Sequence, residues 1–193
     1  MEQMLAFALG YLFGSIPFGL LLGFALGKGD IRNIGSGSIG ATNALRTGSK
    51  VLALGTLLLD LVKGYLPVFL ASRWLPESVG LVALAAVIGH CFTVWLRFKG
   101  GKGIATGAGV LLALGWPLFA AALGAWAVMF LITRISSVGG ISAAIAAPIA
   151  AWFFGYQHLF GWVLAIAVVI LWQHRSNIAR LRSGEEPKVG AKK

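Results

Sequence analysis

The sequence predicts an all-α integral membrane protein with seven transmembrane helices, several of them short. Three observations point there: apolar runs of membrane-crossing length, a scarcity of charge, and basic residues gathered between the runs. Hydrophobic residues make up 58% of the 193-residue chain and charged residues only 11%, against roughly 25% charged in ordinary globular proteins. A bilayer asks for about 20 consecutive apolar residues per helix, and the chain supplies such runs repeatedly. A formal net charge of +10 would suggest nucleic acid in a soluble protein. Here the excess of Lys and Arg on cytoplasmic loops accounts for most of it, and no nucleic-acid partner is expected. The single cysteine, Cys91, rules out an internal disulfide and any paired-cysteine zinc or redox site.

Taken in order, the apolar stretches run over residues 4–26, 51–71, 79–96, 104–132, 138–154 and 159–173. The first lacks a basic leader, since Glu2 is its only early charge, so it reads as a retained helix and not as a signal peptide. Basic residues cluster in four gaps: Lys28, Arg32, Arg46 and Lys50; Arg97, Lys99 and Lys102; Arg134; and Arg175, Arg180 and Arg182. If all four gaps are cytoplasmic, each apolar stretch between two of them crosses an even number of times. The stretch 104–132 therefore divides at "GWP" (115–117), and 138–173 at "GYQH" (155–158). That layout has the N-terminus outside, the C-terminus in the cytoplasm and some helices only about 20–24 Å long, which implies bilayer thinning or burial against neighbours. Abundant glycine, 27 residues, suits close helix packing. The alternative of five spans, two of them long and tilted, would scatter the basic loops over both faces. Residues 1–182 form one transmembrane domain, and 183–193 a flexible cytoplasmic tail.

In this layout three polar segments meet the cytoplasmic surface. The loop "DIRNIGSGSIGATNALRTGSK" (30–50) carries G-x-G-x-x-G at Gly35, Gly37 and Gly40, but no strand precedes it, so a dinucleotide fold is rejected. The backbone N–H groups of such a turn still form an anion-binding nest. Ser36, Ser38, Thr42 and Asn43 add side-chain donors, and Arg46 a bidentate fork. In "FKGGKG" (98–103), Gly100, Gly101 and Gly103 let the backbone approach an anion closely. Lys102 brings a charge, and a helix starting near Gly103 points its positive end at the same place. Setting topology suffices for Arg97 and Lys99, but does not explain the glycines around Lys102. In "WQHRSNIARL" (172–181), His174 and Asn177 share a helix face; they read equally as an interfacial anchor and a helix-end residue.

All three segments offer donors and positive charge. The six acidic residues form no paired-carboxylate motif, so neither a metal cage nor a glycosidase-like pair is expected, and no cofactor is. Asp60 and Lys63 lie within the membrane at i, i+3, and a buried ion pair is expected there. His90 is a candidate general base by residue type, a packing histidine being the plainer reading. The residues thus describe a membrane-embedded site for phosphate groups, opening to the cytoplasm. A phosphate or anion transporter or channel would use similar turns, though the chain shows no internal repeat of the kind transporters carry.

Three blocks, "RNIGSGSIGATNALR", "GHCFTVWLRFKGGKGIATGAGV" and "HRSNIARL", resemble in order and spacing the signature blocks of the bacterial acyl-phosphate:glycerol-3-phosphate acyltransferases of PlsY type. The resemblance implies a multi-pass enzyme of the bacterial inner membrane, its active site at the cytoplasmic face. Such an enzyme transfers an acyl group from acyl phosphate to the 1-hydroxyl of glycerol 3-phosphate and releases lysophosphatidic acid and phosphate, the first step of phospholipid synthesis. Its partners would be these two substrates and membrane lipid, acting on a monomer. The family's phosphate- and glycerol-binding positions fall here on Ser36, Gly37 and Arg46, on Gly100, Gly101, Lys102 and Gly103, and on His174 and Asn177. The pattern departs at Thr93, where the family often has proline, and at Gly139 and Gly140, where serines are common.

Overall fold

The computed structural model describes residues 1–190, and no strand occurs among them. The first apolar stretch forms α1 (Glu2–Ser15) and α2 (Phe18–Ala25). The break falls at Pro17, which has no N–H to continue the ladder. The Ile16 carbonyl freed there accepts a hydrogen bond from Lys63 Nζ at 2.7 Å. After a one-turn helix α3 (Ala41–Ala44) in the loop, α4 (Lys50–Trp74) starts at Ser49, whose Oγ accepts from Leu52 N–H at 3.2 Å. Its 25 residues span about 37 Å, the longest helix of the bundle. Then come α5 (Val79–Cys91), α6 (Ile104–Leu114), α7 (Trp116–Thr133), α8 (Ser136–Phe153), α9 (Phe160–Gln173) and α10 (Arg175–Arg182).

The two long apolar stretches break where the sequence indicates, at Gly115 and at residues 154–157. By length and composition five helical segments can cross a membrane: Glu2–Ala25, Lys50–Trp74, Pro76–Leu96, Trp116–Thr133 and Ser136–Phe153. The segment Gln157–Gln173 makes a sixth when taken with α10, from which it is bent by 57°. The apolar α6, with 11 residues, rises only about 16 Å.

Packing runs mainly through the pairs α1–α5, α4–α6 and α7–α8. Small residues make this possible: a Cβ on Gly14 would run into the Ala86 carbonyl, and one on Gly89 into that of Tyr11. Leucine, valine and tryptophan instead cover the outer surface, with Leu54, Val128, Leu131, Ile149 and Trp172 all exposed. That inversion suits a bilayer, where side chains meet lipid and backbones meet each other. Asp60 and Lys63 form the expected buried pair, 1% and 2% exposed, with Nζ 2.7 Å from Oδ1.

Candidate active site

The three polar segments converge on one cavity of about 1140 Å³. Its mouth is lined by Ser36, Thr42, Arg46, Lys102, Ser137, His174, Asn177 and Arg180, and its floor by Leu57, Leu61, Leu111, Phe119, Ala147 and Val163. Cations and hydroxyls thus sit above an apolar pocket reaching between α4, α6, α7, α8 and α9.

The first loop is held from inside. Asn43 Nδ2 donates to Ile31 O at 2.7 Å and Ser38 O at 2.8 Å, while its Oδ1 accepts from Ser36 N–H at 2.9 Å. Asn43, expected as a donor to an anion, is committed to shaping the loop instead. Gly35 adopts φ +55°, and a Cβ there would meet Arg46 Cδ at 2.5 Å. The bare backbone therefore lets the guanidinium lie across the turn. Thr42 Oγ1 lies 3.1 Å from Ser136 Oγ, tying this loop to the start of α8. Gly35, Ser38 and Gly40 line the cavity, whereas Gly37 does not.

The second segment corrects the expectation for two glycines. Gly100 N–H donates to Cys91 O at 3.0 Å and Gly101 N–H to His90 O at 3.1 Å, so these amides cap the end of α5 and are not offered to a ligand. A Cβ on Gly101 would run into the His90 imidazole. Gly100 and Gly101 seat the turn, while Lys102 and Gly103 line the cavity. The helix α6 begins at Ile104 with Gly103 at φ +83° as its cap and no side-chain acceptor on its first amides, so its positive end faces the cavity beside Ile104 and Ala105. Lys102 is half-buried. Burial, opposed by Glu186 and reinforced by Arg180 and Arg46, pulls its pKa below the ordinary lysine value. His90 lines the deep end of the cavity with Nδ1 3.9 Å from Asp60 Oδ1.

In the third segment the chain bends at His174, between α9 and α10. His174 Nδ1 lies 2.8 Å from Ile170 O. A carbonyl only accepts, so this nitrogen carries the proton and Nε2 presents its lone pair. Burial drives the His174 pKa down to about 4, which makes the ring neutral at pH 7 and a weak base. Asn177, 3% exposed, lines the cavity with it.

Four site residues escaped the sequence reading: Ser136, Ser137, Arg180 and Glu186. Arg180 follows Asn177 by one helical step of three, a periodicity that could have placed it. The two serines open α8 and face the site despite Gly139 and Gly140 beyond them. Glu186 comes from the segment expected to be a loose tail; its Oε1 accepts from Ser137 Oγ at 2.6 Å and its Oε2 from Arg180 Nε at 2.7 Å. Thr93, the other departure from the familiar pattern, is buried and donates to Ser15 O at 2.6 Å.

The family model for glycerol-3-phosphate acyltransferase matches residues 4–184. The chain belongs to this family. It is 57% identical over 192 residues to a glycerol-3-phosphate acyltransferase of Erythrobacter litoralis, covering all of this chain and 98% of the relative. To the enzyme of the same name from Mesorhizobium japonicum it is 48% identical, covering 97% and 96%. Among solved structures, the glycerol 3-phosphate form of PlsY, an integral membrane glycerol 3-phosphate acyltransferase, superimposes with a TM-score of 0.92 at 34% identity, covering 98% of this chain and 96% of that one. The lysophosphatidic acid form gives 0.91 at 32%. The protein is therefore a membrane-embedded acyltransferase, and the cation-lined cavity is where a family member's chemistry has to be sought.

Proposed function

We propose that this glycerol-3-phosphate acyltransferase takes its acyl group from acyl phosphate and transfers it to the 1-hydroxyl of glycerol 3-phosphate. The carrying observation is the two-part cavity, a mouth rich in cations and hydroxyls over an apolar floor. One lipid-like and one water-soluble phosphate can meet there, and their mutual repulsion is offset by Lys102, Arg46, Arg180 and the amide end of α6. The acyl chain lies on the floor beside Leu61, Leu111 and Phe119. The Ser36–Gly40 turn and Lys102 hold the acyl phosphate, while Arg46, His174 and Asn177 orient the acceptor.

In the reaction the acceptor hydroxyl oxygen bonds to the acyl carbon and the bond from that carbon to the phosphate oxygen breaks. The hydroxyl proton passes to the leaving phosphate. A substrate-borne base fits the site, because the buried neutral His174 is weakly basic and His90 lies under the Gly101 turn. His174 Nε2 aligns the hydroxyl through its lone pair. Alignment of the reacting atoms at about 3–3.5 Å can supply several kcal/mol. Nothing in the chain forms a nucleophile elbow, and no acyl-enzyme is expected.

The same reading places seven helical crossings in a bacterial inner membrane: the sixfold count with α6 as a short seventh, the N-terminus outside and the cavity mouth cytoplasmic. The working unit is a monomer, since the cavity is complete within one chain. The test is phosphate release by detergent-purified protein given palmitoyl phosphate and glycerol 3-phosphate, beside Lys102→Ala. Release that needs both substrates and is lost in the variant supports the reading. Well-folded protein that transfers acyl groups to glycerol 3-phosphate only from a thioester would overturn the donor assignment.

A further inference from the structure

The outer side of the Lys102 turn carries a group of side chains that the reaction does not use. Residues 92–99 lead from the end of α5 to that turn, and Arg97 and Phe98 follow one another there at φ 52° and 61°. Residues with side chains avoid this left-handed conformation, so the loop holds a costly shape. In it Trp95 and Phe98 stand 62% and 60% exposed. The end of α9 is tied to the same turn: Gln173 Nε2 donates to Cys91 O at 3.2 Å and to Gly101 O at 3.1 Å. Next to Gln173 stands Trp172, 61% exposed, with the Arg175 guanidinium 5.2 Å from the centre of its ring. Setting topology asks for the charges of this loop, but not for its strain or its exposed rings.

Three cations belong to this surface, Arg97, Lys99 and Arg175, all exposed. None forms an ion pair among the described residues, and residues 92–103 and 171–182 contain no acid. Arg175 uses only Nη1 within the protein, donating to Trp172 O at 3.1 Å and to Gln173 Oε1 at 3.2 Å. Its Nε and Nη2 have no acceptor among the described residues, and a fork of that kind matches a phosphate. Tryptophan rings beside cations at the end of an apolar helix suit the headgroup layer of a bilayer, where anionic lipid attracts Lys and Arg. A free anion would satisfy the cations alone. The three rings ask for apolar groups attached to the same ligand, which makes the occupant a lipid.

We propose that Trp95, Arg97, Phe98, Lys99, Trp172 and Arg175 form a binding surface for an anionic phospholipid, whose phosphate seats the Lys102 turn through Arg175 and Gln173. Phosphate on the free edge of Arg175 fixes the guanidinium, and its Nη1 in turn fixes Gln173 Oε1. The Gln173 amide then keeps its hold on the Gly101 carbonyl, one residue from Lys102. Activity is thereby coupled to the anionic content of the bilayer. The effect on rate rests on the acyltransferase reading; the lipid contact does not.

The experiment compares the full-length protein in nanodiscs of phosphatidylcholine and of an equimolar mixture with phosphatidylglycerol. Each cation near an anionic surface is worth about a fivefold factor in affinity. Phosphatidylglycerol is expected to raise kcat by about that factor and to slow hydrogen exchange at the Gly100 and Gly101 amides. Native mass spectrometry is expected to find phosphatidylglycerol retained by the wild-type protein and lost from Arg175→Gln, together with both responses. Arg97→Gln with Lys99→Gln repeats the test should Arg175→Gln disturb the bend at His174. Lys28→Gln, which removes an equal charge from an exposed position in another loop, is expected to keep both responses. Gln173→Glu keeps the acceptor for Arg175 and loses the amide donors, so it should retain the lipid and lose the rate response, a split that a merely structural residue would not produce. Unchanged kcat and exchange in wild-type protein that turns over in both membranes overturn the proposal. A response that persists without the three cations, or that Lys28→Gln loses equally, overturns it too. Activation by deacylated glycerophosphoglycerol in phosphatidylcholine overturns the lipid as occupant. Retained lipid and slowed exchange without turnover in either membrane overturn the acyltransferase reading and leave the surface standing.

Discussion

Removing Lys63 should destabilise the protein severely, and removing its partner as well should restore much of the loss. The two side chains are almost wholly buried, with Nζ 2.7 Å from Asp60 Oδ1. At an effective dielectric near 20 that separation is worth roughly 6 kcal/mol of attraction, set against a desolvation penalty of several kcal/mol for each ion. The net value of the pair is therefore small, whereas one partner left alone keeps its full penalty. Lys63→Met also leaves the Ile16 carbonyl at the Pro17 break without its 2.7 Å donor. We expect about 3–5 kcal/mol of destabilisation for Lys63→Met, which for a chain of this size lowers Tm by roughly 6–20 °C. Asp60→Asn alone should fall in the same range, and the double variant should lose markedly less than the sum of the two. Thermal unfolding in detergent, followed by circular dichroism on all four proteins, measures the coupling. Additive losses would refute the argument, because they would mean that neither charge feels the other.

Three further outcomes follow from the site. The lowered pKa of Lys102 means that its ammonium is lost at a lower pH than an ordinary lysine's; kcat/KM should therefore fall on the alkaline side, and Lys102→Arg, whose guanidinium stays charged above pH 12, should abolish that limb in a pH-rate profile even though its absolute rate is reduced. Gly101→Ala should cut kcat by about a hundredfold, since its methyl collides with the His90 ring and moves the turn carrying Lys102; single-turnover kinetics read the loss, and unaltered kinetics would show that the turn is not rigidly seated. Thr93→Val should cost about 1–3 kcal/mol by leaving the buried Ser15 carbonyl without its donor, read as a drop in Tm with little change in KM.

Much of this architecture was legible because membrane chemistry is written in composition. Apolar runs, the basic gaps between them, and the breaks at Gly115 and at residues 154–157 follow from hydropathy and charge alone. The convergence of the three polar segments also followed, once the gaps were placed on one face. What could not be read was the direction of individual donors. Asn43 and Gly101 have the right residue types for binding an anion, yet tertiary structure turns the amide of one toward Ile31 and Ser38, and the N–H of the other toward the end of α5. Ser137 and Arg180 lay hidden for the converse reason: a serine at the start of an apolar helix and an arginine among other arginines carry no local mark of the cavity they enter. Glu186 was furthest from view, since a polar glycine- and lysine-bearing tail gives no sign of folding back.

The charge balance explains why that acid is where it is. Of the chain's six carboxylates, Asp30 pairs with Arg32 outside the cavity at 2.6 Å, Asp60 with Lys63 below it, and Glu2 accepts from Ser78 on another part of the surface at 3.1 Å. Glu77 lies in the turn before α5. Glu185 reaches the mouth but accepts from the neighbouring Ser183 at 3.0 Å. Among the described residues neither Arg46 nor Lys102 forms an ion pair. Arg46, Lys102 and Arg180 gather at the mouth of the cavity, and in a low-dielectric setting like charges repel more strongly than they do in water. Glu186, 2.7 Å from Arg180, relieves part of that repulsion, which is why an acid from beyond α10 sits against the cations that the three polar segments bring together.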